Sequence, residues 1–521
     1  MPHTINITLP PDIAASPDSL RQAAAQALHL AESNVGAVQL VRRSVDARRG
    51  KALLQLKLNV YENGEQPLNP PARFDYKNVA CKPPVIIVGA GPAGLFAALK
   101  LLEKGLKPVI LERGKEVKER KRDIAKLTRE RTVNPNSNWC FGEGGAGAFS
   151  DGKLYTRANK RGNVAHILQQ LVQHGANPDI LVEAHPHIGT DKLPGIMTNI
   201  RKIICDGGGE YHFGARVINI AVKNGIARGV VDERGVCYEG IAVILATGHS
   251  ACDIYELLEA QKWAIEPKPF ALGVRTEHPQ ELINEIQYHG KGYSPLLPAA
   301  TYSLVAQVQG RGVFSFCMCP GGIIVPAATA PGELVVNGMS NAQRSSPYAN
   351  AGIVAQVNLD DYVQHKKFGA LAGLRFRQEV ERAAFAAGGA AGAAPAQRLT
   401  DFVDGRVSSS LAKTSYIPGI TSASLHELLP GFVSQSLRQA FREFGKKMRG
   451  YLTSEAMLLA VESRTSSPMR IPRDAQTMQH VQIANLYPCG EGAGYAGGIT
   501  SSAIDGASCA EQIAEKFNAF L

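Results

Sequence analysis

The stretch PVIIVGAGPAGLFAALKLLEKGLKPVILERG, residues 84–114, decides the reading of this chain. Residues 85–88 are an apolar run of strand length, GAGPAG reads as a turn, and FAALKLLEK has helical spacing. Residues 107–112 then make a second apolar strand. Two buried strands joined through a helix require a right-handed crossover and a parallel sheet. Each glycine of the turn has a task. Gly89 permits the bend, Gly91 lets backbone approach a pyrophosphate, and Gly94 lets the helix pack close to the sheet. Pro92 and Ala93 open the helix, whose N-terminus offers unpaired N–H groups and positive dipole to phosphates. Glu112, followed by Arg113, ends the second strand 21 residues after Gly91. An acid there can accept hydrogen bonds from both hydroxyls of an adenosine ribose.

A lone G-x-G-x-x-G proves little. With 52 glycines in 521 residues, chance supplies about half a match. The chain has three: Gly89-Gly91-Gly94, Gly142-Gly144-Gly147 and Gly492-Gly494-Gly497. Only the first follows an apolar strand and opens a helix within a βαβ unit. The second has no strand before it. With Ser150 and Asp151 it reads either as a loop passing close to a flat ring or phosphates, through Gly144, Gly145 and Ala146, or as a plain surface turn. The third, with Gly498 and Ile499, precedes the closing helix of the chain.

Working outward, residues 1–80 read as a small α+β unit in βαββ order. ITLP, VQLVRRSVDAR and KALLQLKLNVY are its strands, residues 19–30 its helix, and residues 67–84, with five prolines, its linker. Residues 81–265 form the first part of the Rossmann-like core. From Gly209 the strands EYHFG, ARVINIAVK, GIARGVVD and VCYEG read as an antiparallel meander, containing Val217, that feeds back through IAVILATG into the parallel sheet. Residues 266–462 read as a mostly β middle, substrate or cap domain, with strands at FALGVRTEH, YSLVAQV, GVFSFCM, GGIIVPA and ELVVNGM. Residues 445–461 look helical, and the low-complexity FAAGGAAGAAPAQ (385–397) looks like a surface loop. Residues 463–521 return to the core pattern. The fold class expected is therefore α/β, with a parallel sheet plus antiparallel meander, a mostly β middle domain and a small N-terminal α+β domain.

Nine scattered cysteines, no basic-then-apolar leader and no apolar run near the ~18–20 residues that span a bilayer point to a cytoplasmic protein with reduced thiols and no membrane span. The net charge of +10 sits largely in mixed-sign stretches such as residues 115–131, which read as a solvated helix face. Nucleic acid is not the partner this pattern calls for.

At this point the sequence resembles the glutathione-reductase-type FAD-binding superfamily. Its anchors are VIIVGAGPAGLFAA with Glu112, IAVILATGH (241–249), and LYPCGEGAGYAGGITSSAIDG near the C-terminus. The resemblance implies one FAD as cofactor, with Ala246, Thr247 and Gly248 passing near it and Gly490, Glu491, Gly498 and Ile499 receiving the ribityl chain and flavin. Glu491 stands where that superfamily usually has aspartate. The loop 142–151 would lie along the isoalloxazine, and the closing helix would aim its dipole at the flavin N1/C2=O edge. More narrowly, NWCFGEGGAGAFSDGKLYTR, VRTEHPQELI, FSFCMCPGG, VVNGMS and VESRTSSPMRI resemble a bacterial family of FAD-dependent dehydrogenases or oxidoreductases of unknown substrate, over essentially the full length. Disulfide reductases of the superfamily carry a second nucleotide fold and a C-x-x-x-x-C. Neither is evident, so a tightly bound nicotinamide domain is not expected. The electron donor would be transient NAD(P)H, the substrate or a redox partner protein.

Individual residues leave choices open. Cys317 and Cys319 are either a thiol pair near the flavin or two small residues on one strand face, and the i, i+2 spacing favours the second. Cys140 lacks a nearby cysteine partner. His249, His278 and Glu143 are candidate acids or bases, with structural hydrogen bonding the commoner role. Arg275, Arg464 and Arg470 suit either an anion clamp or ion pairs between domains. No metal site stands out, and the catalytic residues are not legible. An FAD-dependent oxidoreductase moving hydride between a small substrate and flavin N5 leads the readings. The alternatives are an RNA-associated flavoprotein docking through Arg42, Arg43, Arg48, Arg49 and Lys51, and a non-catalytic FAD-binding sensor.

Overall fold

The structure is a computed structural model describing residues 2–48, 50–65, 67, 73–156 and 162–518. Arg49, residues 68–72 of the proline-rich linker and Arg157 of the quoted loop lie outside the described residues. The apolar strands of the opening motif sit at the centre of a five-stranded parallel sheet. Its order is Leu486–Pro488, Ala242–Leu245, Pro84–Val88, Lys107–Glu112, Glu210–Phe213. Alternation along Pro84–Val88 feeds two cores. Val85 and Ile87 pack toward the helices Pro92–Lys104 and Ile499–Asn518, while Ile86 and Val88 pack toward the meander. Burial on both faces is why these strands read as continuous apolar runs.

The meander comprises Val217–Lys223, Ile226–Asp232 and Cys237–Glu239, paired antiparallel. The EYHFG segment, expected as its first strand, instead forms the edge of the parallel sheet, with Glu112 opposite Phe213. It follows the helix Leu193–Asp206 and completes a crossover, a pairing that local turn signals do not specify.

The middle of the chain builds a seven-stranded mixed sheet. The order is Val305–Val308, Arg311–Cys319, Tyr348–Val357, Phe270–Pro279, Met457–Glu462, Ala394–Arg398, Ile420–Ser422. Two expectations are corrected here. The helix expected over residues 445–461 ends at Lys447, and Met457–Glu462 is a strand buried at every residue. An apolar run without alternation fits a doubly buried strand as well as a buried helix, so periodicity could not separate them. Likewise the glycine/alanine stretch is not a surface excursion throughout. Ala372–Ala387 is helical, Gly389 turns the chain at φ 85°, and Ala394–Arg398 enters the sheet with Ala394 and Ala396 fully buried. Small side chains made a core strand look like low complexity.

The N-terminal unit pairs His3–Leu9, Leu53–Glu62 and Val35–Asp46 antiparallel, and the helix Pro17–Leu28 covers them through Ala24 and Ala25. Arg43 ties this unit to the core. Its N–H donates to the Val182 carbonyl at 2.8 Å, its carbonyl accepts from the Ala184 N–H at 2.9 Å, and its Nε donates to Glu183 at 2.8 Å. Arg48 pairs with Asp46 at 2.7 Å. No helix among the described residues is long and apolar enough to cross a membrane.

Replacing Leu458 by alanine tests the strand assignment. Removing this fully buried side chain is expected to cost about 2–5 kcal/mol in urea unfolding, whereas a half-exposed helix would tolerate alanine, a better helix former.

Candidate functional site

The glycine motifs converge on one cleft of about 390 Å³. At its first end the strand Pro84–Val88 delivers Gly89 at φ 104°, where a Cβ would lie 2.5 Å from the Ala246 carbonyl oxygen. Only glycine fits there. A Cβ on Gly91 would meet nothing nearer than Gly145 Cα at 3.9 Å, so this face of the turn opens into the cleft. Gly91 is also the N-cap of the helix Pro92–Lys104, and no side chain caps it. The first-turn N–H groups are thus left to a ligand. Gly94 does not line the cleft. A Cβ on it would fall 2.0 Å from the Gly89 oxygen, which is the close helix–strand packing expected of the third glycine.

Glu112 lines the cleft but is more heavily committed than the sequence suggested. Oε2 accepts from Ala90 N–H at 2.9 Å, and Oε1 accepts from Gly114 and Gly142 N–H at 2.8 and 2.9 Å. The carboxylate therefore staples three loops, and Oε2 keeps lone-pair capacity for a diol. Arg113 donates to Asp253 at 3.1 Å and to Asn136 at 3.0 Å, and its guanidinium lies 4.3 Å over the Phe141 ring. Asp253 also accepts from Arg216 at 3.0 Å, next to Val217.

At the other end the loops touch backbone to backbone. A Cβ on Gly145 would lie 3.0 Å from Gly91 Cα, and one on Gly492 would lie 2.6 Å from the Gly248 oxygen. Gly145, Ala146, Gly147, Ser150 and Asp151 line the cleft. Gly144, predicted with them, does not. It turns at φ 80° onto Ala148 and Met197, so its glycine serves packing. Ala246, Thr247, Gly248, Gly490, Glu491, Gly498 and Ile499 all line the cleft, and Gly490 N–H is anchored to Asp505 at 2.8 Å. Gly497 and Gly498 leave open space where a Cβ would stand, just before the helix Ile499–Asn518.

Charge in the cleft is unevenly set. Burial pushes Glu491 up to about 7, helped by Cys317 and opposed by Lys268. Burial, with Arg377 and Arg464 behind it, pushes His249 down to about 3. Its Nε2 stands 3.5 Å from Glu491 Oε2. Burial opposes the charge of Lys153, but Cys319, Cys317 and Asp151 outweigh it and hold its pKa above the usual value. Arg464 reaches the cleft from a buried cluster, donating to Glu381 at 3.0 Å, Glu333 at 3.3 Å and Thr329 at 2.7 Å.

The other candidates separate. Cys317 lines the cleft, while Cys319 is buried beneath it. Cys140 lines the cleft and faces the Ala327 carbonyl at 3.9 Å. His278 is buried and hydrogen-bonds the Tyr451 carbonyl at 2.8 Å. Glu143 accepts from Val117 N–H at 2.8 Å and pairs with Arg201 at 3.0 Å. Arg275 is fully buried against Glu462 at 2.9 Å, and Arg470 is exposed over Tyr495. Sequence reasoning missed Lys153, Phe316, Asn337 and Thr465. Lys153 stands beside Ser150 and Asp151, and the other three lie in the quoted segments FSFCMCPGG, VVNGMS and VESRTSSPMRI. Cys489, Asp505 and Cys509 group closely enough for a metal ion, but Arg473 already places its cation 2.6 Å from Asp505 and 3.7 Å from Cys509.

The "Uncharacterized protein" of Clostridium beijerinckii (strain ATCC 51743 / NCIMB 8052) is 39% identical over 538 residues, covering 99% of this chain and 98% of the relative. The chain belongs to that protein's family. Within it, residues 82–134 match an FAD binding domain, residues 269–465 match "FAD-dependent protein, C-terminal domain-like", and residues 1–61 match a domain of unknown function, DUF8436. The cofactor is FAD. Among solved structures, 2,6-dihydroxypyridine-3-hydroxylase from Arthrobacter nicotinovorans is 10% identical at TM-score 0.37, covering 84% of this chain and 85% of that one. CtdE in complex with FAD is 12% identical at TM-score 0.32, covering 84% and 85%.

The cleft fits a dinucleotide on its own terms: open glycine faces at Gly91, Gly497 and Gly498, and an uncapped helix N-terminus. Gly91→Val is expected to raise the FAD dissociation constant at least about tenfold, or 1.4 kcal/mol, by fluorescence titration, with an unchanged far-UV spectrum. Gly94→Val should instead lower stability. Glu491 adds a pH signature. With its pKa raised to about 7 it is neutral below and anionic above, so a dianionic dinucleotide in the cleft would meet an added negative charge at higher pH. FAD affinity should weaken about three- to tenfold from pH 6 to pH 8, and Glu491→Gln should flatten that slope.

Proposed function

We propose that this chain is an FAD-dependent oxidoreductase acting on a small molecule held between its FAD-binding core and the middle, substrate-side domain. The observation that supports this most is that one cleft is lined from both. Gly91, Thr247 and Gly498 come from the core, and Phe316, Cys317 and Asn337 from the seven-stranded sheet and its neighbouring ribbon. FAD, when bound, supplies hydride chemistry at flavin N5.

The chain's own residues have separable tasks in this reading. The helix starting at Pro92 and the glycines around it bind phosphate. Glu112 and Arg113, locked by Ala90, Gly142 and Asp253, orient the adenosine end. Lys153 and the N-terminus of the closing helix place positive potential where ring charge builds on reduction. His249 is neutral at ordinary pH, and Glu491, with its pKa raised to about 7, can hold or release one proton at the cleft wall. In this reading residues 81–265 with 463–521 are the cofactor-binding unit, 266–462 the substrate side and 1–80 an attached module. Nine free cysteines favour a reducing compartment. RNA docking draws little support, because Arg43 and Arg48 are already paired with Glu183 and Asp46.

Anaerobic addition of NADH, NADPH and then dithionite to the flavin-loaded protein tests the reading. Bleaching of the flavin band by a nicotinamide is the expected result, and dithionite alone would point to electrons from substrate or a partner protein. A band that no physiological donor bleaches would leave FAD as a sensing ligand and overturn the proposal.

A further inference from the structure

The strand Arg311–Cys319 does not keep its register. It pairs with Tyr348–Val357 as far as Phe316, shifts, and resumes at Cys319. Cys317 sits in the break with φ 44°, a left-handed conformation that a side-chain-bearing residue adopts at a cost. The break falls where Phe316 and Cys317 line the cleft, and side chains take the backbone groups it frees. Arg275 Nη2 donates to the Cys317 carbonyl at 2.6 Å, and Lys153 Nζ donates to the Met318 carbonyl. Arg275 also lies against the strand Val336–Ser340, where a Cβ on Gly338 would fall 2.0 Å from its Nη2.

The same guanidinium fixes Asn337. The amide Oδ1 accepts from Gly338 N–H at 2.7 Å and from Arg275 Nη1 at 3.4 Å. Both neighbours can only donate, which settles which end of the amide is oxygen. Among the described residues the Nδ2 group has no partner, and Asn337 lines the cleft, so two N–H donors are left for what the cleft holds. Charge leans the same way. Buried Asp151 is shared between Arg344 at 3.0 Å and Lys153 at 3.6 Å, while Arg275 has Glu462 at 2.9 Å. Three cations thus stand against two carboxylates. The next acids, Glu277 and Glu491, are both pushed up to about 7 by burial and carry only part of a charge near neutrality. Lys153, with 35% of its side chain exposed, keeps an N–H beyond those turned to Met318 and Asp151.

We infer that Asn337 and Lys153 hold a carboxylate, and that the substrate meeting FAD in this cleft is a small carboxylate anion with an apolar body. The inference rests on the oxidoreductase reading above and names its substrate class. A positive excess in a partly buried cleft is costly until an anion offsets it. The two N–H groups of an amide held in one orientation, with an ammonium fastened to the same bulge, match the oxygens of a carboxylate in number and in charge. Half-buried Phe316 on that wall gives the rest of the molecule an apolar neighbour. Asn337 is thus a specificity-determining residue: it discriminates an acid from its amide because it has donors to give and no free acceptor.

Absorbance titration of the oxidised, flavin-loaded protein at pH 6 tests this, with formate, acetate, butyrate and phenylacetate each set beside its neutral amide. The carboxylates are expected to perturb the flavin band saturably, and the amides to need at least about tenfold higher concentration. That comparison uses the wild type alone. Asn337→Asp, which replaces the donors by a further carboxylate, is expected to weaken the carboxylates at least about tenfold while FAD affinity stays as it was. Amides that bind as well as the acids, or no perturbation by any of these compounds, overturn the inference. So does an Asn337→Asp protein that loses FAD affinity and not carboxylate affinity, because the donors would then serve the cofactor. If NADPH still bleaches the flavin in those cases, the oxidoreductase reading stands. A protein that never retains flavin overturns both.

Discussion

Backbone contact between glycine-rich turns is the constraint on which this site depends. Gly89 lies against Ala246, Gly145 against Gly91, and Gly492 against Gly248. Segments as far as 244 residues apart in the chain, those of Gly248 and Gly492, thus meet without side chains between them. A Cβ at Gly89 or Gly492 would force the walls of the cleft apart. Close approach leaves backbone N–H groups and an uncapped helix terminus facing inward, which suits an anionic ligand better than mobile lysines would. The interleaving of Pro92–Lys104 with Ile499–Asn518, where a Cβ on Gly506 would lie 1.9 Å from the Ala93 carbonyl oxygen, holds the first and last parts of this assembly together.

The second element is a floor of buried charge. Arg275 with Glu462, and Arg464 with Glu381 and Glu333, lie at or beneath the cleft. Isolated charges there would be costly, and pairing with additional hydrogen bonds offsets that cost without making these clusters a large source of stability. Their effect on the site is electrostatic and geometric. Burial, helped by Arg377 and Arg464, keeps His249 neutral, and Arg275 holds the Cys317 carbonyl and the Cys319 sulfur. The anion-clamp role open to these arginines is weakened for Arg275, which is enclosed by protein, and remains compatible with Arg464, which reaches the cleft.

Reading failed where the physical signal was non-local or ambiguous. Residues 457–461 look helical in sequence because burial on both faces erases alternation. Ala394–Arg398 was taken into a loop because alanine and glycine look like low complexity until a neighbouring strand covers them. Gly144 was placed against the cofactor because local pattern cannot say which way a glycine turn faces. Glu112 was read as a ligand residue alone, though three backbone N–H groups from separate loops converge on it. Phe316, Asn337 and Thr465 lie in FSFCMCPGG, VVNGMS and VESRTSSPMRI, segments that mark a likeness without saying which side chains face the cleft.

By itself the sequence determined the parallel core, the glycine turn and the cofactor class, because strand, turn and helix of a βαβ unit are neighbours in the chain and their chemistry is local. Tertiary structure alone decided that Cys317 faces the cleft while Cys319 does not, that Arg43 is a junction instead of a docking cation, and that Lys153 stands beside the bulged strand. Those outcomes depend on register, on a left-handed φ at one residue and on which distant segment supplies the partner. Spacing along the chain carries no record of any of these.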